Sequence, residues 1–273
     1  MNVYRIITEN IINEITASGE LFWQKTWKMQ APANLLTKSH YHGINRFLLR
    51  DGDFWLTFNQ ANKAGLRIKK GAKSGIAVFY SPVVKAQETE EEDRKYFVLK
   101  YYNVFNSNHI EGAEKFIPES EPINPKEEER QIEEVLLNYI KKENVCLEYG
   151  GSHACYIPAE HKILIPQINN FVDYKEYLRT LAHEAGHSTG KALKRDMGNG
   201  DKESKKYMLE ELIAEFTALF IAGQGKIKDN STAYLQGWVS EFKEKPAMLV
   251  KAAGAAEKAA RLIKGEQESD IKN

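Results

Sequence analysis

Cysteine is scarce in this sequence. Its 273 residues include two cysteines, Cys146 and Cys155, which lie nine positions apart and do not form a Cys-x-x-Cys pair. Such a composition argues against a disulfide-stabilised secreted scaffold. We therefore expect both thiols to be reduced and to be small core residues rather than metal ligands or disulfide partners.

Long apolar runs are also absent. The longest, such as the five residues 218–222, are far shorter than the roughly 18 to 20 residues needed to span a bilayer. The N-terminal stretch MNVYRIITENIINEI is an amphipathic pattern with acidic residues, which is not the pattern of a signal peptide. We expect a soluble, cytoplasmic protein without a membrane partner.

The formal net charge is zero, but the charge is unevenly distributed. Residues 1–85 contain 12 lysines and arginines against 5 acidic residues, a balance of +7, whereas the remainder contains 26 against 33, a balance of −7. A basic region of this kind is the candidate for a polyanionic partner.

Length and composition fit two domains better than one. The stretch FIPESEPINPKEE at 116–128 has three prolines among clustered charges, which is typical of a linker. We place one domain at 1–115 and a second at 129–265, and we expect a disordered tail at 266–273. The predicted fold class is α+β, with a small mixed α/β N-terminal domain and a mostly helical C-terminal domain that has a short sheet.

Several elements of the second domain are predicted from pattern. HACYIPAEHKILIP indicates a hairpin of two short strands, and VDYKEYLRTLAHEAGHSTG indicates a helix capped by Asp173 and ended by Gly190. YMLEELIAEFTALFIAG predicts a strongly apolar helix further along the chain.

The stretch HEAGH at 183–187 has the spacing of a zinc site. Residues four apart lie one turn apart on one helix face, so His183 and His187 can present two imidazoles to one metal ion. Glu184 lies about 100° round the helix, where it could contact a metal-bound water without being a ligand. This arrangement suits hydrolysis, with Glu184 as the general base. The alternative is that these are ordinary polar residues of a surface helix.

A third ligand is expected downstream, because catalytic zinc usually has three protein ligands and one open site. Glu210, Glu211 and Glu215 lie among apolar residues that favour burial, and carboxylates are rarely buried unless paired or metal-bound. The arrangement resembles the gluzincin pattern, which implies Glu211 as the ligand and Glu215 as the acid that holds a ligand imidazole. The sequence leaves the reverse assignment open. We expect the strand KILIP to be an edge strand beside the metal, and we leave His153 and His161 out of the site as exposed turn residues.

Aromatic residues alternate with basic and amide residues in the N-terminal domain, a mixture that suits single-stranded nucleic acid. A basic turn with two glycines follows. The alternative is that the tryptophans are core residues and the lysines ordinary surface. The candidate DNA-binding residues are Trp23, Lys25, Trp27, Lys28, Asn34, Lys38, Tyr41, Asn45, Arg46, Lys69, Lys70 and Lys73.

The sequence resembles ArdC-type antirestriction proteins over nearly its whole length. The N-terminal motifs are FWQKTW, PANLLTKSHYHGIN, FWLTFNQANKAG and RIKKGAKSGIAVFY, and the C-terminal ones are YIPAEHKILIP, YLRTLAHEAGHSTG and YMLEELIAEFTALFIAG. The resemblance implies a single-stranded-DNA-binding domain joined to a zincin-like metallopeptidase domain. It also implies a role on conjugative plasmids and other mobile elements, where such proteins protect incoming DNA from restriction.

These patterns support two main hypotheses. In the first, the protein binds single-stranded DNA and protects incoming DNA. One Zn²⁺ per chain, or another divalent metal, is bound by a domain that acts on or docks against a protein partner. In the second, the protein is an active zinc peptidase and DNA binding is incidental. A third alternative is that the metal only braces two helices.

Overall fold

Both α-helices and β-strands are present in the computed structural model, which describes residues 2–18, 32–49, 53–85, 94–118, 125–171, 173–197, 205–222 and 232–266. The chain divides into two compact units, one of Met1–Asn10 with Gln30–Pro118 and the other of Ile11–Met29 with Glu119–Asn273. The boundary falls within the first helix, α1 (Val3–Ser18). The limits predicted from sequence place residues 11–29 in the first domain instead, and the predicted tail lies outside the described residues apart from Glu266.

A four-stranded sheet organises the first unit. The α-helices and strands that follow α1 are β1 (Ala33–Asn34), α2 (Asn45–Leu48), β2 (Phe54–Leu56), α3 (Phe58–Lys63), β3 (Arg67–Ile68), β4 (Gly75–Lys85), β5 (Arg94–Asn106) and β6 (Ile110–Glu111). The strands of the sheet lie in the order β1-β2-β5-β4, with β1 parallel to β2 and the other neighbours antiparallel. A second sheet pairs β3 with β6.

Local chemistry explains where α3 begins. The Thr57 hydroxyl accepts a hydrogen bond from the Gln60 backbone N–H, and the Gln60 side chain accepts one from the Thr57 backbone N–H. This reciprocal cap satisfies two donors that the first helical turn leaves unpaired. Trp55, on the adjacent strand β2, packs with Leu49, Ala77 and Val104 in an apolar cluster.

The second unit is mostly helical and has a short sheet. Its α-helices and strands are α4 (Pro125–Lys142), β7 (Cys146–Tyr149), β8 (Cys155–Ile157), β9 (Lys162–Ile165), α5 (Tyr174–Ala192), α6 (Lys205–Ala222), α7 (Thr232–Glu244) and α8 (Met248–Lys264). Helix α5 contacts α6 extensively, and α6 in turn packs on α8.

Helix α5 begins where the sequence indicates. The Asp173 side chain accepts a hydrogen bond from the Glu176 backbone N–H at 2.8 Å, which caps the helix. The helix ends at Ala192, however, and not at Gly190. Gly190 has a packing role instead, because a Cβ at this position would lie 2.6 Å from the Met197 sulfur.

The sheet of the second unit corrects two expectations. The predicted hairpin of β8 and β9 is present, but the KILIP strand β9 is the central strand, because the unpredicted strand β7 pairs with it in parallel. The two edge strands are β7 and β8. Ile163 and Ile165 of β9 are fully buried, which explains why the KILIP segment is apolar.

The cysteines do not belong to the core. Cys146 on β7 and Cys155 on β8 are both exposed and free, contrary to the expectation of small core residues. Their strands are short, and the buried face of the sheet is occupied by β-branched residues of β9.

Among the described helices, none is both long and apolar enough to cross a membrane. The α+β class, with a mixed first unit and a mostly helical second unit, is confirmed.

Candidate functional site

The packing of α5 against α6 brings together three of the residues selected from the sequence. His183 and His187 lie one turn apart on α5, with their Nε2 atoms 3.1 Å from each other. The Glu211 carboxylate on α6 lies 3.6 Å from His183 Nε2 and 3.4 Å from His187 Nε2. One ligand atom from each residue therefore lies within 4.8 Å of those of the other two.

The outer nitrogens of both imidazoles face a second pair of carboxylates. His183 Nδ1 lies 3.5 Å from Glu215 Oε1, and His187 Nδ1 lies 3.3 Å from Glu210 Oε1. Each of these carboxylates is also bound by an arginine: Arg179 donates to Glu215 at 2.8 Å, and Arg195 donates to Glu210. The site thus contains two chains of contacts, each running from arginine through glutamate to histidine.

Glu184 is buried next to the two histidines on α5. Its carboxylate accepts a hydrogen bond from the backbone N–H of Tyr156 in the edge strand β8. Together with His183 and Glu215 it lines a cleft of about 320 Å³, to which Phe171 and His153 also contribute. Glu184 and His183 are therefore both open to a cleft that a substrate could enter.

The charges of the cluster favour a cation between the histidines. Burial lowers the pKa of His187, but hydrogen bonds with Glu210 and Glu211 outweigh it and raise that pKa to about 10. The pKa of Glu211 is lowered, because burial is outweighed by its contacts with the two imidazoles. The carboxyl of Glu184 differs, since burial raises its pKa.

The donor set fits a divalent metal. Two imidazole nitrogens and a carboxylate oxygen are the ligands of catalytic zinc sites, and the outer nitrogens of metal-bound histidines are usually held by carboxylates. Glu211 lies with the two Nε2 atoms, whereas Glu215 lies on the opposite side of His183. The geometry therefore supports Glu211 as the third ligand and Glu215 as the residue behind His183.

The predicted DNA-binding residues form three groups. One group lies outside the described residues, one is buried and one is exposed. Trp23, Lys25, Trp27 and Lys28 lie outside the described residues. Asn34, Tyr41, Asn45 and Arg46 are each at most 9% exposed.

The buried amides of this region are used by the fold. Asn34 accepts hydrogen bonds from the backbone N–H groups of Leu36 and Thr37. The Asn45 amide donates to the Val78 carbonyl and accepts from the Val78 backbone N–H. Burial raises the pKa of Tyr41, with a further contribution from Tyr102. These side chains have structural roles whether or not they contact DNA.

Four predicted lysines lie at the surface. The Lys38 ammonium is already engaged, since it donates to the carbonyls of Leu35 and Phe116. Lys69, Lys70 and Lys73 are exposed around the turn at Gly71, where Lys69 donates to the carbonyl of Asn108. Lys70 and Lys73 form no ion pair with any residue in the described ranges.

Sequence patterns did not identify Arg179, Arg195 and Glu210 as parts of the site. Glu210 is among the three acids that the sequence offers as a third ligand, but the gluzincin resemblance favours Glu211 and Glu215, and the contact of Glu210 with His187 Nδ1 is not predicted. Arg179 lies four residues before His183, on the same face of α5. This spacing is a signal that could have placed Arg179 near the site. Arg195 follows α5 on a loop, so its position could not be derived from helical spacing.

Two known families match successive parts of the chain. Residues 1–105 match the N-terminal domain of the anti-restriction factor ArdC, and residues 134–255 match a zincin-like metallopeptidase domain. The chain belongs to the ArdC family of antirestriction proteins.

Solved structures extend the likeness to almost the full length of this ArdC-family chain. The metal-free crystal structure of the antirestriction protein ArdC from plasmid R388 is 29% identical, with a TM-score of 0.76, and covers 98% of this chain and 100% of that one. Its Mn(II)-bound structure is 28% identical, with a TM-score of 0.74, and the coverage is 97% and 98%.

Curated relatives are much longer. Two DNA primase TraC proteins of Escherichia coli are each 26% identical to the ArdC-family chain over 93% and 92% of its length. The chain spans 19% and 26% of those two proteins. The name DNA primase therefore describes proteins of which this chain corresponds to a minor part.

Proposed function

We propose that this chain is an antirestriction protein of a mobile element that binds single-stranded DNA and protects incoming DNA, and that its second unit holds one Zn²⁺. The observation that carries the proposal is the match across nearly the whole chain to the antirestriction ArdC structures. The positive charge of residues 1–85 supports a polyanion as the partner of the first unit.

The turn of Lys69, Lys70 and Lys73 is the best-supported phosphate contact in the first unit. These residues are exposed, and Gly71 has a φ of 83°, a left-handed conformation that glycine adopts without strain. Lysines around a tight turn form a concentrated positive charge that follows a phosphate backbone. Lys38 contributes less, because its ammonium is bound within the fold.

The strands β4 and β5 supply exposed rings in the same unit. Phe79, Tyr80 and Tyr101 are 41%, 52% and 41% exposed, and the exposed Lys100 lies opposite Phe79 in the sheet register. Base stacking on an aromatic ring contributes about 1 to 3 kcal/mol, whatever the base. Phe79 and Lys100 lie on one face of the sheet and Tyr80 and Tyr101 on the other, so each face offers exposed rings that support binding to unpaired bases.

In the second unit, His183, His187 and Glu211 would hold the metal. A bound divalent cation supplies a Lewis acid and a water of lowered pKa. Glu184 would be the proton acceptor next to these residues, and the Tyr156 backbone N–H holds its carboxylate. Glu215 and Glu210 hold the two imidazoles from behind.

A restriction-protection assay tests the proposal. Plasmid transfer into a restricting host is compared for the wild type, for Glu184→Gln and for a triple Lys69/Lys70/Lys73→Gln variant. Loss of protection in the triple variant supports the DNA role of the first unit. Full protection by the triple variant, together with a purified protein that prefers duplex DNA, contradicts it.

A second candidate function is a zinc peptidase for which DNA is incidental. Glu184, the cleft and the edge strand β8 favour it, because an edge strand can pair with an extended peptide. The Glu184→Gln arm separates the candidates. Protection that disappears in this variant, while metal binding persists, makes proteolysis the mechanism; protection that survives assigns the effect to DNA binding.

A further inference from the structure

Arg195 is brought back over the end of α5 by the loop that follows the helix. The Arg195 backbone N–H donates to the carbonyl of Gly190 at 2.9 Å, and Lys194 before it has a φ of 52°, so the chain turns sharply at this point. The side chain is thereby directed along the last two turns of α5 and towards α6. Only 11% of it is exposed.

All three nitrogens of the Arg195 guanidinium are engaged. Nε donates to Glu210 Oε2 at 3.0 Å and Nη2 to Glu210 Oε1 at 2.7 Å, which is a bidentate pair. Nη1 donates to the Thr189 hydroxyl at 2.6 Å, and Nη2 also donates to the Gly186 carbonyl at 2.8 Å. A guanidinium fixed by four bonds holds its carboxylate in one orientation.

The held carboxylate faces a histidine of the candidate metal site. Glu210 has 5% of its side chain exposed, and its Oε1 atom lies between the guanidinium and His187 Nδ1. An imidazole that donates from Nδ1 to this oxygen has its lone pair on Nε2. In His187 that atom points to Glu211 and to His183 Nε2.

We propose that Arg195 is a positioning residue for His187, acting through Glu210 to fix the orientation and tautomer in which His187 Nε2 binds metal. The inference rests on the proposed metal centre. The matching arrangement of Arg179, Glu215 and His183 supports it, since both imidazoles then have the same kind of support. Arg179 is part of α5 itself, whereas Arg195 lies on the loop that follows the helix. Metal binding by His187 therefore depends on the conformation of this loop.

Metal affinity of the folded protein tests the proposal. Dissociation constants for Zn²⁺ and Mn²⁺ are measured by competition with a chelating dye for the wild type, Arg195→Met, Arg195→Lys and Glu210→Gln. Loss of an outer partner of a metal-bound histidine weakens metal binding about 10- to 100-fold. We expect this loss for Arg195→Met and Glu210→Gln, and a smaller loss for Arg195→Lys, because lysine cannot form the bidentate pair.

Lys206→Gln is the matched control. Lys206 on α6 pairs with Asp196 on the loop at 2.6 Å, so the control removes an ion pair between the same two segments without a contact to His187. Its metal affinity should stay within about twofold of wild type, because the pair is exposed. A nitrogen NMR spectrum of the Zn²⁺-loaded protein should show His187 protonated at Nδ1 in the wild type and altered in Arg195→Met.

The outcomes separate the two proposals. The positioning role is overturned if folded Arg195→Met, Arg195→Lys and Glu210→Gln all bind metal with wild-type affinity. This holds even if the variants melt at lower temperatures, provided that the decrease is the same with and without metal. If Arg195→Met does not fold, Arg195→Lys and Glu210→Gln decide in the same way. A wild type that binds neither Zn²⁺ nor Mn²⁺ overturns the metal centre itself and the inference that rests on it.

Discussion

Gly186 of α5 lies directly against Ala214 of α6. A Cβ on Gly186 would be 3.2 Å from the Ala214 Cα and 3.2 Å from the Thr217 Cβ. The absence of a side chain here allows the helix with His183 and His187 to approach the helix with Glu211.

We expect Gly186→Ala to lower the free energy of unfolding and the metal affinity together. Overpacking of this kind costs about 1 to 3 kcal/mol, and movement of α6 away from α5 separates Glu211 from the imidazoles. Denaturant unfolding and Zn²⁺ titration measure the two effects. Gly254→Ala on α8 is the control, because no atom lies within 4 Å of its added Cβ. It should stabilise the protein by about 0.5 to 1 kcal/mol, and equal effects of the two changes would contradict the packing argument.

The two α6 carboxylates next to His183 should differ in their effect on metal binding. Glu211 faces both Nε2 atoms, whereas Glu215 faces His183 Nδ1 and Arg179. We expect Glu215→Gln to weaken Zn²⁺ binding about 10- to 100-fold and Glu211→Gln to weaken it more, because only the second change removes a ligand. Titration of both variants measures this order. The reverse order would make Glu215 the ligand.

Much of the second unit could be predicted because its signals are local. The four-residue spacing of His183 and His187, the cap at Asp173 and the acids among the apolar residues of α6 each depend on residues within one or two helical turns. Arg195 is different, because it contacts Glu210 across 15 residues and through a loop. No periodicity specifies such a contact.

The short sheet of the second unit was only partly predictable. Strand β7, CLEY, has a mostly exposed pattern and lacks the alternation that marks a half-buried strand. Its parallel pairing with β9 makes KILIP the central strand, with β7 and β8 at the two edges. Pairing partners are set by the tertiary fold, so the sequence identified the strands of the hairpin but not their place in the sheet.

Asn45 should matter more for stability than for DNA binding. Its amide bonds both backbone groups of Val78, and its side chain is buried. Asn45→Ala leaves two buried backbone groups unpaired, which should cost at least about 2 kcal/mol. Asn62→Ala on the exposed face of α3 is the matched control and should change stability by less than about 0.5 kcal/mol. A stable Asn45→Ala protein with weakened single-strand binding would instead make Asn45 a DNA contact.

Lys70 and Lys73 should contribute to the salt dependence of DNA binding. Each lysine that neutralises a phosphate of a single strand contributes about 0.7 to the slope of log K against log salt concentration. A double Lys70/Lys73→Gln variant should therefore lower that slope by about 1.4, with similar weakening for different sequences, because phosphate contacts carry no base information. Fluorescence anisotropy with labelled oligonucleotides at several salt concentrations measures the slope.

Lys141/Lys142→Gln makes the same change of charge at exposed positions of α4 and should leave the slope unchanged. An equal decrease in both variants would mean that only total charge matters, and an unchanged slope in the Lys70/Lys73 variant would remove this turn from the DNA-binding surface.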